Sequence, residues 1–241
     1  MKYRVVPGVL LALLVFTACE AETASSPLTI FAASSLTEVF LKIDGEARYQ
    51  FAGSDDLALQ IREGAEADVF AAASPTYPTE LHEAGLVEEP VTFATNELIL
   101  IVPKDNPAGI NSVDDLGKPD VRLVIGAAGV PVGDYTFDVL ENLDASEVLA
   151  QVVSEEQDVK GVVSKVRLGE ADAGLVYATD VKPVEGAVTS IELPAEAQPV
   201  VEYQVAVVSD GEDIKEAELF VDMLIGDEGQ EALRSAGFGL P

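Results

Sequence analysis

One cysteine, one histidine, no tryptophan and only 14 lysines and arginines occur in 241 residues, and each shortage excludes something. A single cysteine can neither close an intramolecular disulfide nor build a cysteine-rich metal cluster. One histidine leaves almost nothing for zinc or copper, so no residue is expected to ligate a metal cation directly. Against 43 Asp and Glu, the few basic side chains give a formal charge of −29. A chain so acidic cannot present a broad basic surface to nucleic-acid backbones or anionic lipid head groups, so nucleic acid is not an expected partner. What is abundant is aliphatic. Hydrophobic residues make up 48% of the chain, and apolar runs at 97–102 and 122–126 read as buried strands, which excludes an acidic disordered tail. The acid surplus reads as a solvated face. Pairs such as Glu155-Glu156 and Asp114-Asp115 lack the D-x-[DN]-x-[DN]-G spacing of a calcium loop.

The N-terminus accounts for the cysteine. Lys2 and Arg4 precede an apolar run at 9–16 that is short for a bilayer span, and Phe16-Thr-Ala-Cys19 closes it with small residues. This is the pattern of a secretory signal over residues 1–18. With Cys where a second Ala would stand, the segment resembles a bacterial lipoprotein signal, in which Cys19 is acylated and becomes the mature N-terminus. The alternative is an ordinary signal peptide with a leftover thiol. Residues 19–27 then form a lipid-anchored tether, its Ser, Thr, Ala and Glu content suited to a flexible link. The expected location is extracytoplasmic, attached to the cell membrane in a periplasm or on the membrane's outer face.

From residue 28 onward, strand-like and helix-like stretches alternate. Strands are expected at 28–33, 47–51, 68–73, 98–102, 121–126, 173–178 and 203–208. Helices are expected at 37–43, 57–63, 132–143 and 158–168, with one from a Ser74-Pro75 start to about Gly85 and a last one over 214–235. Such alternation implies βαβ units, an α/β fold and mostly parallel sheets flanked by helices. Two clusters, 103–109 and 193–199, are rich in Pro, Asp, Asn, Gly and Ala and read as crossings between compact units. The expected organisation is two lobes, 28–102 with 200–241 and 103–199, and a ligand cleft between them.

Ligands of open α/β sheets bind at the carboxyl ends of the strands. After the first strand, Ser35 and Glu38 fit the S-x-x-E capping box. After the second comes Gly53-Ser-Asp-Asp56, small and hydroxylic at a helix start. Gly126-Ala-Ala-Gly-Val-Pro-Val-Gly133 and Gln157-Asp-Val159 open two further helices. Several helix N-termini converging in this way would present free N–H donors and partial positive charge, an anion site with no Lys or Arg. Each serine taken alone reads equally as a helix cap. The carboxylates of Asp55 and Asp56 are expected to face solvent on the first helical turn rather than point into the site.

The strings Leu28-Thr-Ile-Phe-Ala-Ala-Ser-Ser-Leu-Thr37, Phe51-Ala-Gly-Ser54, Val130-Pro-Val-Gly-Asp-Tyr135, Asp158-Val159 and Gly174-Leu-Val-Tyr-Ala-Thr-Asp180 come in order. Together with 59–70 they resemble the successive motifs of the periplasmic molybdate-binding proteins that serve ABC importers. The resemblance covers nearly the whole chain after the tether. It implies a two-lobed, type II periplasmic-binding-protein-like fold that holds a tetrahedral oxyanion, molybdate and by extension tungstate, and passes it to a membrane permease. It further implies Ser35 and Ser54 as hydroxyl and backbone donors, Val132 and Val159 as backbone donors, and Tyr177 as a phenol donor. No cofactor and a monomeric chain are expected. Asp55, Asp56 and Asp134 depart from the family's more neutral pattern. A receptor for sulfate or another tetrahedral oxyanion is the alternative. A secreted serine hydrolase using Ser34 or Ser35 is disfavoured, because there is no G-x-S-x-G or S-x-x-K string and the only histidine, His82, lies in a helical stretch away from these corners. The chain therefore reads as a binding protein and not an enzyme.

Overall fold

The protein, described as a computed structural model, is defined at Met1 and over residues 26–241. Apart from Met1, the signal segment and Cys19 lie outside the described residues. One sheet contains β1 (Thr29–Ala33), β2 (Arg48–Ala52), β3 (Val69–Ala72), β4 (Val91–Asn96) and β10 (Val201–Val207), in the order β2-β1-β3-β10-β4. The other contains β5 (Leu98–Pro103), β6 (Leu123–Gly126), β7 (Val152–Glu156), β8 (Ala173–Tyr177) and β9 (Val188–Glu192), in the order β7-β6-β8-β5-β9. The fold is α/β and two-lobed, but the sheets are mixed rather than mostly parallel. β1 runs parallel to β2 and β3, and β6 to β7 and β8, whereas β10 opposes β3 and β4 and β5 opposes β8 and β9. The opposed strands are those that enter each sheet from the other half of the molecule.

The chain leaves the first sheet between Asn96 and Leu98 and returns after Leu193 to reach β10 at Val201. Strand 98–103, grouped with the first lobe on sequence, therefore belongs to the second sheet, and the 103–109 cluster is a loop beyond it. The outward crossing needs no Pro or Gly because Asn96 turns the chain with its own side chain. Its Oδ1 accepts the Glu97 N–H at 2.9 Å.

Central strands β3, β6 and β8 are buried along their length, as apolar runs covered on both faces must be. Of the four edge strands, β2, β7 and β9 alternate or stay half exposed, and β4 is exposed at its start and buried further along. The helices are α1 (Thr37–Ile43), α2 (Ser54–Arg62), α3 (Thr76–Glu83), α4 (Pro131–Asn142), α5 (Val159–Arg167), α6 (Ala178–Val181), α7 (Ile214–Ile225) and α8 (Asp227–Ala236). The single final helix expected from sequence is two, because Gly226 is extended at ψ 175° and breaks it. On β1, Ile30 and Ala32 pack into a core that spans both sheets, while Phe31 joins Leu57, Ile61, Phe70 and Leu81 under α2 and α3. Among the described residues no helix is long and apolar enough to cross a membrane.

Candidate functional site

Five strand-to-helix corners face one another across the gap between the sheets: those after β1, β2, β6, β7 and β8. They enclose a cavity lined by Ser34, Ser35, Gly53 and Ser54 from the first lobe and by Val132, Asp158, Val159 and Tyr177 from the second, among others. All five residues singled out from the sequence meet here. The space open to the centre of a water molecule is about 10 Å³, which corresponds to a rounded body of radius roughly 2.7 Å. That is the scale of one four-oxygen ion and far too small for a sugar or an amino acid.

Each serine hydroxyl has one partner on the protein side. Ser54 Oγ accepts the Ala73 N–H at 3.1 Å, so its own proton is free to point into the cavity. Ser35 Oγ lies 3.0 Å from Tyr203 Oη, and Asn96 Nδ2 donates to that phenol at 3.4 Å. Asn96 donating into Tyr203 favours the sense in which the phenol donates to Ser35 Oγ, and in that sense the Ser35 proton is left for the cavity. Tyr203 and Asn96 were not legible as contributors in the sequence, since the partners stand 168 and 107 positions apart. The capping box does not form. Ser35 lies in a 3-10 turn, Ser34–Leu36, makes no capping bond, and Glu38 is drawn instead to Lys160. Likewise, the cap of α3 is Pro75, with no side-chain bond from Ser74.

Val132 and Val159 line the cavity at the starts of two helices. Pro131 opens α4 and Val159 opens α5, so each valine N–H falls in the first turn, where a helix offers no internal acceptor. Both side chains are buried, which fixes the direction of the N–H groups. The α4 corner is pressed onto β6: a Cβ on Gly133 would stand 2.2 Å from Ala127 O and 2.5 Å from Gly126 O. Only glycine permits this approach. Asp158 is the one carboxylate in the lining, and its Oδ1 is engaged by the Gly161 N–H at 2.9 Å as the cap of α5.

Tyr177 ends β8 with 1% of its surface exposed. Its hydroxyl has no hydrogen-bond partner. Burial holds its pKa well above 10, with the neighbouring phenols and carboxylates adding to the shift, so it remains a proton donor at any physiological pH. An unpaired buried hydroxyl is costly, and here it faces a cavity that other donors also face.

The surrounding charges are held away from the cavity. Asp134 Oδ1 accepts the Gly129 N–H at 2.8 Å. Asp55 departs from the solvent-facing placement expected of it. It is half-buried with Oδ1 shielded and unpartnered, and burial chiefly raises its pKa. It does not line the cavity, because its side chain folds back towards Gly53. His82 is exposed and lies near Val87 O at 3.1 Å, outside the site. Among the described residues no group of three or more His, Cys, Asp or Glu is arranged to hold a metal ion.

Behind the cavity, burial pushes the Asp180 carboxyl up to about 6 from its ordinary 3.8, against the pull of Lys160. A carboxyl with a raised pKa in the folded state binds a proton there that the unfolded chain has already lost. Its contribution to stability is full below about pH 4 and disappears as pH rises through 6. By calorimetry, the melting temperature of wild type should gain a few degrees more than that of Asp180→Asn between pH 7 and pH 5. Equal gains would contradict the assignment.

The chain matches the family described as "Bacterial extracellular solute-binding protein" over residues 28–239. It is similar to the molybdate-binding protein ModA of Mycobacterium bovis, 35% identical over 224 residues, covering 89% of this chain and 85% of that one. Among solved structures it is similar to the substrate-binding domain of a "putative molybdenum ABC transporter" from Clostridium difficile, with TM-score 0.67 and 28% identity, covering 90% of this chain and 100% of the other. The periplasmic molybdate-binding protein of Azotobacter vinelandii shares the fold at TM-score 0.77 and 22% identity, over 89% and 99% of the two chains.

Proposed function

Because the chain belongs to the bacterial extracellular solute-binding proteins, which bind a solute and do not transform it, we propose that it captures molybdate for import by an ABC permease, and tungstate with it. The observation that carries this reading is the convergence of Ser35, Ser54, Val132, Val159 and Tyr177, from both lobes, on one small cavity. In this reading the five are the ligand donors. A relative named for molybdate at 35% identity over most of both chains supports the same ligand. We further assign Cys19 as the acylated N-terminus, residues 19–27 as the tether, and the outer face of the cell membrane as the working location. The protein works as a monomer.

The chemistry follows from the donors. A dianion leaving water needs charge-assisted hydrogen bonds to its oxygens. Fixed N–H and O–H dipoles provide them with no salt bridge to desolvate, and the N-termini of α2, α4 and α5 add partial positive charge. With the five proposed ligand groups all donating, and Asp158 Oδ1 already engaged by the Gly161 N–H, an oxyanion that carries its own proton finds no acceptor among them. Phosphate is therefore disfavoured near neutral pH, where it is largely protonated. Sulfate carries no proton and is separated from molybdate only by radius, which makes it the alternative ligand.

Calorimetric titration with molybdate, tungstate, sulfate and phosphate tests the assignment. Molybdate and tungstate should bind one to one, sulfate roughly tenfold or more weakly, and phosphate not measurably at neutral pH. Sulfate binding tighter than molybdate would favour the alternative, and failure of all four would overturn the reading.

The formal charge of −29 repels an arriving anion. Added salt screens that repulsion, so the association rate, followed by stopped-flow tyrosine fluorescence, should rise with ionic strength. A rate that falls instead would place an attractive field at the cleft.

A further inference from the structure

Three charged residues stand directly behind the cavity, each just downstream of a proposed donor. Glu38 follows Ser35 into α1, Lys160 follows Val159 in α5, and Asp180 follows Tyr177 in α6. They meet at one ammonium. Lys160 Nζ lies 3.0 Å and 2.8 Å from the two carboxylate oxygens of Glu38 and 3.0 Å from Oδ1 of Asp180. None of the three lines the cavity.

The partners differ in burial and in lobe. Asp180 is in the same lobe as Lys160, with a fully buried side chain, and finds no directed hydrogen bond for either oxygen. Its charge is therefore balanced by Lys160, which cannot leave without stranding it. Glu38 belongs to the opposite lobe, and its side chain is 42% exposed. When the lobes part, Glu38 can be rehydrated cheaply while the Lys160–Asp180 pair stays whole. The Glu38–Lys160 contact is thus the one that parting of the lobes would break.

We propose that Asp180 anchors Lys160, and that Lys160 grips Glu38 across the cleft as a clasp holding the corners of Ser35, Val159 and Tyr177 around a bound oxyanion. The clasp sets how slowly the ligand escapes. Lys160 and Glu38 act as positioning residues, since neither touches the ligand site. The proposal rests on the oxyanion-binding reading above.

The test compares wild type, Glu38→Gln, Lys160→Met and Lys160→Arg by stopped-flow release of molybdate and by melting of the ligand-free protein. Glu38→Gln should release molybdate about tenfold faster with an association rate close to wild type. Its ligand-free melting temperature should not change, because the contact is absent from the open form. Lys160→Met should release at least as fast and should also melt lower, since it strands Asp180. Lys160→Arg, which keeps the charge but not the compact ammonium, should release more slowly than Lys160→Met. If wild type binds molybdate and Glu38→Gln releases it at the wild-type rate, the clasp is wrong and the binding assignment stands. A lower ligand-free melting temperature for Glu38→Gln with an unaltered release rate would make the pair a fold-stabilising contact and overturn the proposal. If wild type binds none of the four anions, the underlying reading fails and the clasp falls with it.

Discussion

Tyr177→Phe should weaken molybdate binding by about 10- to 100-fold and leave the ligand-free protein at least as stable as wild type. Hydrogen bonds to charged groups contribute about 1.5–3 kcal/mol, and losing one from the bound state gives that range. The stability half of the result is the more diagnostic. The Tyr177 hydroxyl makes no hydrogen bond within the protein, so deleting it breaks none, and the ring still packs edge-on against Tyr135 and Tyr203. A residue retained for packing would lose little affinity on this change. Calorimetry for binding and scanning calorimetry for melting separate the two. Unchanged affinity would remove Tyr177 from the donor set.

Gly53→Ala should cost about 100-fold in affinity without disturbing the ligand-free fold. Gly53 lies just before α2 at φ −61°, a conformation alanine adopts freely. An added methyl would stand 2.5 Å from Asp55 Oδ1 and 2.5 Å from the Gln157 carbonyl oxygen. The Asp55 side chain can rotate aside. The Gln157 carbonyl belongs to the opposing lobe and yields only if the lobes stay about an ångström further apart, and a displacement of that size is enough for a loss of about 100-fold. Normal melting with a weakened dissociation constant is the expected pair of results. Wild-type affinity would mean that the lobes need not approach this closely to hold the ligand.

Much of the architecture could be read without coordinates because the signals were local. Apolar runs marked β3, β6 and β8, which are covered on both faces. Small, hydroxylic or proline-bearing corners marked the starts of α2 and α4. The donors inferred from the resemblance fall together because each occupies a carboxyl-end corner, and corners of parallel strands necessarily share one edge of a sheet. Edge strands β7 and β9 escaped notice, since a half-exposed edge carries polar residues such as Ser154, Glu156, Thr189 and Glu192 that dilute the apolar pattern.

The misreadings were of partnership rather than position. Ser35 and Glu38 have capping-box spacing, yet the serine bonds to Tyr203 and the glutamate to Lys160, more than a hundred residues away. Nothing in a four-residue motif reports a competing partner of that kind. Asp55 follows the same logic: its spacing predicts an outward helical turn, whereas its side chain folds back towards Gly53 and is half-buried. The Pro- and Gly-rich cluster at 103–109 predicts the crossing, whereas the chain turns at Asn96 by a hydrogen bond to its own neighbour.

The central claim is that uncharged donors contributed by both lobes enclose a fully deprotonated tetraoxyanion. A crystal structure of the protein grown with tungstate, located by anomalous scattering, tests it most directly. One tungsten peak should appear in the interlobe cavity, its oxygens within hydrogen-bonding distance of Ser35 and Ser54 Oγ, the Val132 and Val159 N–H groups and Tyr177 Oη. Tungsten seated against Lys160 or another cationic side chain, or bound by one lobe alone, would contradict the account.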